Sequence, residues 1–272
     1  MRILVLGGTK FVGLEFLKNI DKSINEVYVI SRRAVDVEGV KSIALERDDR
    51  KELERAIISV NPDVILDMIC YNQRQANDII NISSKLRNLN HYIMISTFFI
   101  YNYSDVYEGF EIINEELIRD SYTKNKYLAE KAIYNSSLFD KATIIRPPFI
   151  IAYDDYSQRF QFLIESIRSN TIVIDEFRNS FISKNEMAKA LLKLICESPL
   201  GFLDLANKGC VSLKDIVDIV SNVLNQEFDK LTYGKREVYQ LDRSICLDSK
   251  HLNLFDLKDI RDVLVEEIGS LK

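Results

Sequence analysis

Ile3-Leu4-Val5-Leu6-Gly7-Gly8-Thr9-Lys10-Phe11-Val12-Gly13 is the stretch whose reading decides the fold. An apolar run reads as a buried strand, and a turn almost without side chains follows it. Phe11, Leu14, Phe16, Leu17 and Ile20 then recur at helical spacing. Strand, glycine turn and helix in this order form the first βα unit of a dinucleotide-binding domain. Bare glycines let the backbone approach a pyrophosphate, and the helix N-terminus offers it N–H groups and a positive dipole end. Gly7, Thr9, Lys10, Phe11, Val12 and Gly13 are therefore candidate cofactor-binding residues. Taken alone, the glycines also fit a tight βα turn in an unrelated α/β protein. Lys10 stands where the usual motif has its middle glycine, a departure that needs a physical explanation.

The same rhythm continues outward from this unit. Strands are expected over Glu26–Ile30, Lys41–Leu45, Asp63–Met68, Tyr92–Ser96 and Ala142–Ile145, with helices over Lys51–Val60, Gln73–Leu86 and Tyr122–Ser136. Short apolar strands alternating with helices imply βαβ units. The expected fold is α/β: a Rossmann-type doubly wound parallel sheet with a smaller, mostly helical C-terminal substrate lobe. Residues 1–148 are assigned to the Rossmann domain. Residues 149–272 are assigned mainly to the lobe, with segments returning to the first domain. After Pro148 a Phe/Tyr-rich loop (Phe149–Tyr156) leads to helices over Gln158–Arg168, Lys184–Cys196 and Leu213–Leu224.

The bulk numbers narrow the function classes. Among 272 residues, 36 Lys+Arg face 41 Asp+Glu, a net charge of −5, and no segment is strongly basic. No nucleic-acid partner is expected. Four scattered cysteines and two histidines, with no CxxC, argue against a metal site. The cysteines are read as small buried hydrophobes in a reducing, cytoplasmic setting. The chain enters a strand at once and has no apolar run near the roughly 18 residues a membrane span needs, so neither a signal peptide nor a membrane association is expected.

Tyr122 and Lys126 lie four residues apart, on one face of the expected helix. An ammonium beside a phenol favours the phenolate, and the pair suits proton exchange with a substrate oxygen while a hydride moves. In a chain with 13 tyrosines the spacing is weak evidence, and Tyr127 with Lys131 repeats it.

Tyr122-TKN-Lys126-YLA-Glu130 resembles the Tyr-xxx-Lys-xxx-Glu segment of the extended short-chain dehydrogenases/reductases, which include nucleotide-sugar epimerases and dehydratases. The Tyr127 register lacks the Glu. Ile95-Ser96-Thr97-Phe98-Phe99-Ile100-Tyr101 resembles the family's strand-end Ser-Ser/Thr-x-x-Val-Tyr, and Tyr122 follows Thr97 at the family's usual separation of 25. Arg146-Pro147-Pro148, Ser180-Phe181-Ile182, Gly201–Ala206 and Leu247–Lys250 match later family marks in order, so the resemblance covers essentially the whole chain. The Gly-Gly-Thr-Lys/Arg-Phe-x-Gly opening is similar to an atypical branch. That branch holds bacterial epimerase-like and reductase-like proteins, chloroplast proteins described as RNA-binding, and many members without the Tyr/Lys pair.

The resemblance implies that Thr97 hydrogen-bonds the reacting oxygen and Tyr122 is the acid/base. It implies that Lys126 holds the nicotinamide ribose and tunes Tyr122. Ser31-Arg32-Arg33 stands where NAD-binding members carry an acidic residue. Arginines there suit a 2′-phosphate, so NADP(H) is expected over NAD(H), with Lys10 adding positive charge. Glu46 or Asp48 is the candidate acceptor for the adenine amino group. Met68, Ile69 and Cys70 are expected beneath the cofactor, with Cys70 packing rather than reacting, and Pro147 beside it. Tyr71, Asn72, Tyr156 and Arg159 are candidate substrate contacts. Phe98-Phe99 replaces the Asp-Glu pair of the sugar dehydratases, which disfavours dehydration. The expected activity is epimerisation or reduction of a sugar-nucleotide or related carbonyl or hydroxyl substrate. The alternative is a non-catalytic dinucleotide sensor or RNA-binding relative. The resemblance also admits a homodimer through helices, the Tyr122–Lys126 helix among them.

Overall fold

The computed structural model describes residues 1–104, 113–174, 176–228, 239, 241, 243–247 and 252–271. Asp248, Ser249 and Lys250 of the last family mark lie outside the described residues, as does His251. The chain divides into two units, Met1–Arg146 with Ala188–Leu203, and Pro147–Met187 with Asp204–Lys272.

In the first unit, β1 (Arg2–Leu6), β2 (Glu26–Ser31), β3 (Val40–Ala44), β4 (Val64–Asp67), β5 (His91–Ile95) and β6 (Ala142–Arg146) join one sheet with β9 (Gly201–Asp204). The strand order is β3-β2-β1-β4-β5-β6-β9. The pairs β1–β2, β1–β4, β2–β3, β4–β5 and β5–β6 are all parallel. Parallel neighbours need crossovers; α1 (Phe11–Asn19), α2 (Arg50–Val60), α3 (Gln73–Ser83) and α4 (Ser121–Tyr134) lie on four of them, while β2 passes to β3 through a loop. Strand order reverses between β1 and β4. In an open α/β sheet such a switch point places a ligand crevice at the carboxyl ends of the strands.

Burial explains why these segments adopt these forms. Ile3, Leu4, Val5 and Leu6 are all buried, as expected of a strand covered on both faces. Leu4, Leu6, Ile65 and Met94 share a core with Leu53 and Ile57 of α2, Ile79 of α3 and Ile133 of α4. That apolar spacing is the helical stripe legible in the sequence. Asp49 caps α2 by accepting from the Glu52 amide at 3.3 Å, and Asn61 ends it in the left-handed region at φ +46° just before Pro62.

The second unit departs more from expectation. Phe149–Ile151, read as loop, is strand β7 and pairs in parallel with β8 (Phe181–Ser183). Three residues cannot announce a strand whose partner lies some thirty residues on. Helices α5 (Arg159–Arg168), α7 (Leu213–Leu224) and an unexpected α9 (Ile260–Gly269) pack into this unit's own core through Phe160, Leu163, Ile216, Val217, Val263 and Leu264. The connecting α6 spans Lys184–Glu197, and a short α8 spans Leu252–Phe255.

The cysteine reading is corrected. Cys210 and Cys246 are joined as a disulfide and Cys196 is exposed, so only Cys70 is a buried hydrophobe. Sequence could not bring together two cysteines 36 residues apart without the fold. Among the described residues, no helix is long and apolar enough to cross a membrane.

His91, at the start of β5, illustrates what burial between strands does to a titratable group. Its Nε2 lies 2.7 Å from the Thr143 hydroxyl, which itself donates to the Pro199 carbonyl. The hydroxyl proton being spent, Nε2 must carry the imidazole proton, and Nδ1 is a buried lone pair without a partner among the described residues. Burial pushes His91 down to about 4. The neutral form is favoured only in the fold, so this contribution is complete above the unfolded value of about 6.5 and is lost as pH falls toward 4. We expect the wild type to lose about 3 kcal/mol more stability between pH 7 and pH 4 than His91→Gln does, measured by urea unfolding. Parallel pH profiles for the two proteins would refute this.

Candidate active site

The glycine turn after β1 is built by two different constraints. Gly7 and Gly8 have φ of +86° and +80°, where side chains are strained. A Cβ on Gly7 would also lie 2.7 Å from Ile69 Cγ2. Gly13 needs no unusual backbone, but a Cβ there would lie 2.2 Å from Gly8 Cα and 2.7 Å from Met68 Sδ. Helix α1 can therefore start against the turn only with glycine at 13. Lys10 has φ −144° and ψ 163°, ordinary extended backbone, and its side chain is exposed. The missing middle glycine is thus explained, since this conformation tolerates a Cβ. The left-handed step falls one residue later, on Phe11 at φ +51°.

Beyond β2, Ser31 is buried and its hydroxyl donates to the Arg33 carbonyl at 2.6 Å, while Arg32 and Arg33 are exposed. A cavity of about 300 Å³ opens here, lined among others by Ser31, Arg32, Glu46, Ile69 and Tyr71. It is at the small end for a ligand pocket. Of the two carboxylates expected to reach an adenine, Asp48 is held by Arg74 at 2.6 Å and by Gln75 Nε2 at 3.2 Å. Glu46 is exposed at the cavity. Asn72 caps α3, its side chain accepting from the Gln75 amide at 3.0 Å, and Tyr71 beside it is 48% exposed.

Tyr122 and Lys126 occupy the first turns of α4, which Asp120 caps by accepting from the Thr123 amide at 2.7 Å. Tyr122 is 46% exposed, whereas Lys126 is 2% exposed. The Lys126 ammonium donates to the Cys70 carbonyl at 2.8 Å and the Ile95 carbonyl at 2.7 Å. It sits 4.9 Å from the Tyr71 ring centroid and 6.0 Å from that of Tyr122. Burial lowers its pKa, although nearby Asp67 and Glu130 oppose the shift. Thr97 is buried after β5, and its oxygen accepts from the Phe99 amide at 3.3 Å. That leaves the hydroxyl proton to donate. The Phe99 ring meets Tyr122 edge-on at 6.5 Å.

The competing register is a core feature. Tyr127 is wholly buried, its hydroxyl accepts from the Ile113 amide at 3.0 Å, and Lys131 pairs with Glu115. Cys70 too is wholly buried, and burial pushes its thiol up to about 12, far from a reactive thiolate.

Glu130, Tyr101 and Arg146, noted in the sequence only as family marks, converge. Arg146 and Glu130 are both 0% exposed and paired at 2.7 Å, while Arg146 Nη1 donates to the Tyr101 hydroxyl at 3.0 Å. The guanidinium also stacks 4.6 Å from the Phe202 ring centroid. A second buried pair, Arg47 with Asp67, was missed. Its signal was present: a charged residue ends the otherwise apolar strand Val64-Ile65-Leu66-Asp67. Pro147, Tyr156 and Arg159 belong to the second unit. Pro147 is buried and Tyr156 exposed. Arg159 donates to Ser157 Oγ at 2.8 Å and lies 3.4 Å from Asp155.

No family model matches the chain. Solved structures of similar fold cover almost all of it. The Bordetella bronchiseptica enzyme WbmG, in complex with NAD, has a TM-score of 0.78 at 15% identity, covering 99% of this chain and 93% of its own. The UDP-Glc/GlcNAc 4-epimerase of Campylobacter jejuni gives 0.73 at 17% identity over 99% and 97%. The dTDP-4-dehydrorhamnose reductase of Yersinia enterocolitica gives 0.72 at 17% identity over 100% and 99%. The chain therefore shares the Rossmann-type α/β fold of these enzymes. In sequence, the chain is 30% identical over 79 residues to the 2'-dehydrokanamycin reductase of Streptomyces kanamyceticus, a match covering 28% of this chain and 22% of that protein.

The buried Glu130–Arg146 pair has a measurable consequence. Glu130→Ala leaves Arg146 uncompensated and is expected to cost about 3–5 kcal/mol in urea unfolding, against under about 0.5 kcal/mol for Glu116→Ala on the surface. Equal costs would show that the pair does not hold the site together.

Proposed function

We propose that this chain is a nicotinamide-dinucleotide-dependent enzyme of the epimerase or reductase type, acting on a sugar-nucleotide or related carbonyl or hydroxyl substrate. The observation that carries the reading is the contrast at the head of α4. Tyr122 is open to a substrate, while Lys126 is buried one turn on with its ammonium near the Tyr122 ring. The glycine cradle that any Cβ would fill, and the cavity beside Ser31 and Arg32, fit a dinucleotide. WbmG solved with NAD, and again with NAD and UDP, supports the same ligand classes. The reductase match supports a redox reaction.

When bound, the dinucleotide supplies hydride transfer. The chain's own residues do the rest. Tyr122 gives a proton to the substrate oxygen or takes one from it. Thr97 donates its hydroxyl proton to that oxygen. Lys126 spends two ammonium protons on the Cys70 and Ile95 carbonyls, leaving its third for a ribose hydroxyl. Phe98 and Phe99 after Thr97 provide no acid for a leaving hydroxyl, which disfavours dehydration. Tyr71 and Asn72 are assigned to the substrate, and Glu46 to the adenine.

Tyr122→Phe is expected to lower turnover about 10²–10⁴-fold while leaving dinucleotide affinity and melting temperature unchanged. Turnover that survives the change unaltered would sink the catalytic assignment of Tyr122.

NADP(H) is the preferred form in this reading, because Arg32 and Arg33 follow β2 where an acidic residue would otherwise bind the ribose, and Lys10 adds positive charge near that edge or the pyrophosphate. Replacing Arg32 and Arg33 together by Ala should weaken NADP(H) at least about tenfold in calorimetry and alter NAD(H) far less. NAD(H) binding to the parent as tightly as NADP(H) would end the preference.

A further inference from the structure

Arg47 follows β3 and Asp67 ends β4. Arg47 Nη1 and Nη2 donate to Asp67 Oδ1 and Oδ2 at 2.6 and 2.7 Å. Asp67 accepts further bonds from the Tyr92 hydroxyl and the Ile69 amide, each at 3.1 Å. Both charges are buried, Asp67 completely.

As a stabilising device this pair is poorly made. Arg47 Nε is buried with no partner among the described residues. An unmatched donor costs about 1–3 kcal/mol, and a buried ion pair is often replaced by apolar side chains without loss. What the pair does control is how the chain leaves β4. The Asp67 carboxylate holds the Ile69 amide, and the Ile69 side chain fills the space against Gly7. The next residue, Cys70, presents the carbonyl that accepts the Lys126 ammonium at 2.8 Å. Arg47, Glu46 and Ile69 also line the 300 Å³ cavity. One segment therefore touches both the cavity and Lys126.

We propose that Arg47 is a positioning residue for Lys126. Acting through Asp67, it fixes Met68–Cys70 so that the Cys70 carbonyl meets the ammonium, and it links occupancy of the cavity to the placement of Lys126. Its consequence for ligand binding rests on the dinucleotide reading above; the placement of Lys126 does not.

The test uses the full chain with Arg47→Met/Asp67→Leu, which removes both charges, and Arg47→Lys, which keeps the charge but not the fork. Reductive methylation read by mass spectrometry reports how well each lysine is held. Lys126 should be modified about tenfold faster or more in the double variant, with Lys184 of the second unit unchanged. NADP(H) affinity should fall about tenfold or more alongside. Arg47→Lys should lie between parent and double variant, and it decides the matter if the double variant does not fold. Lys126 labelling at the parental rate in the folded variants overturns the inference. Absence of NADP(H) or NAD(H) binding by the parent would instead overturn the dinucleotide reading, with the labelling still deciding the role of Arg47.

Discussion

A guanidinium with no access to solvent is the constraint around which the first unit is organised. Arg146 is tolerable inside the protein only because Glu130 neutralises it, Tyr101 accepts from it, and the Phe202 ring covers it. These partners come from α4, from the segment after β5, and from β9. Only arginine suits the position, since lysine has neither a planar fork nor a face to stack. Glu130 lies one turn beyond Lys126, and Tyr101 lies four residues beyond Thr97. Satisfying one buried charge thus also sets the two elements that carry the proposed chemistry.

The floor beneath the glycine turn is a second shared element. Met68 and Ile69 fill the space that bare glycines leave, and the Cys70 carbonyl receives Lys126. A larger residue at Gly13 and a displaced Cys70 would disturb the same three-residue segment from opposite sides. Lys126 bears the cost of this economy. Its ammonium is desolvated, which lowers its pKa, and two carbonyl oxygens take the place of water.

Much of this was legible in the residues. The βα rhythm of the first unit follows from apolar periodicity alone, because parallel strands covered on both faces must be apolar throughout. The turn at Gly7–Gly13 is a local pattern legible from spacing, whereas Tyr122 with Lys126 shares its spacing with Tyr127 and Lys131, and the resemblance to a family motif chose between them. Strand β7 was read as loop because three apolar residues form a strand only when Phe181–Ser183 lies alongside. The Cys210–Cys246 link was missed for the same reason.

The sequence by itself determined a Rossmann-type sheet, a glycine turn at its first crossover, and a candidate trio in Thr97, Tyr122 and Lys126. The sheet and the turn depend on short-range periodicity, and the trio on the ordered motifs by which the sequence resembles the extended short-chain dehydrogenases/reductases. Only the tertiary structure decided that Tyr122 faces solvent while Tyr127 lies in the core, and that Lys10 needs no glycine's freedom. It also decided that Arg146 meets Glu130 and Arg47 meets Asp67. Burial and charge pairing depend on what distant segments bring to the same point, and no spacing along the chain encodes that.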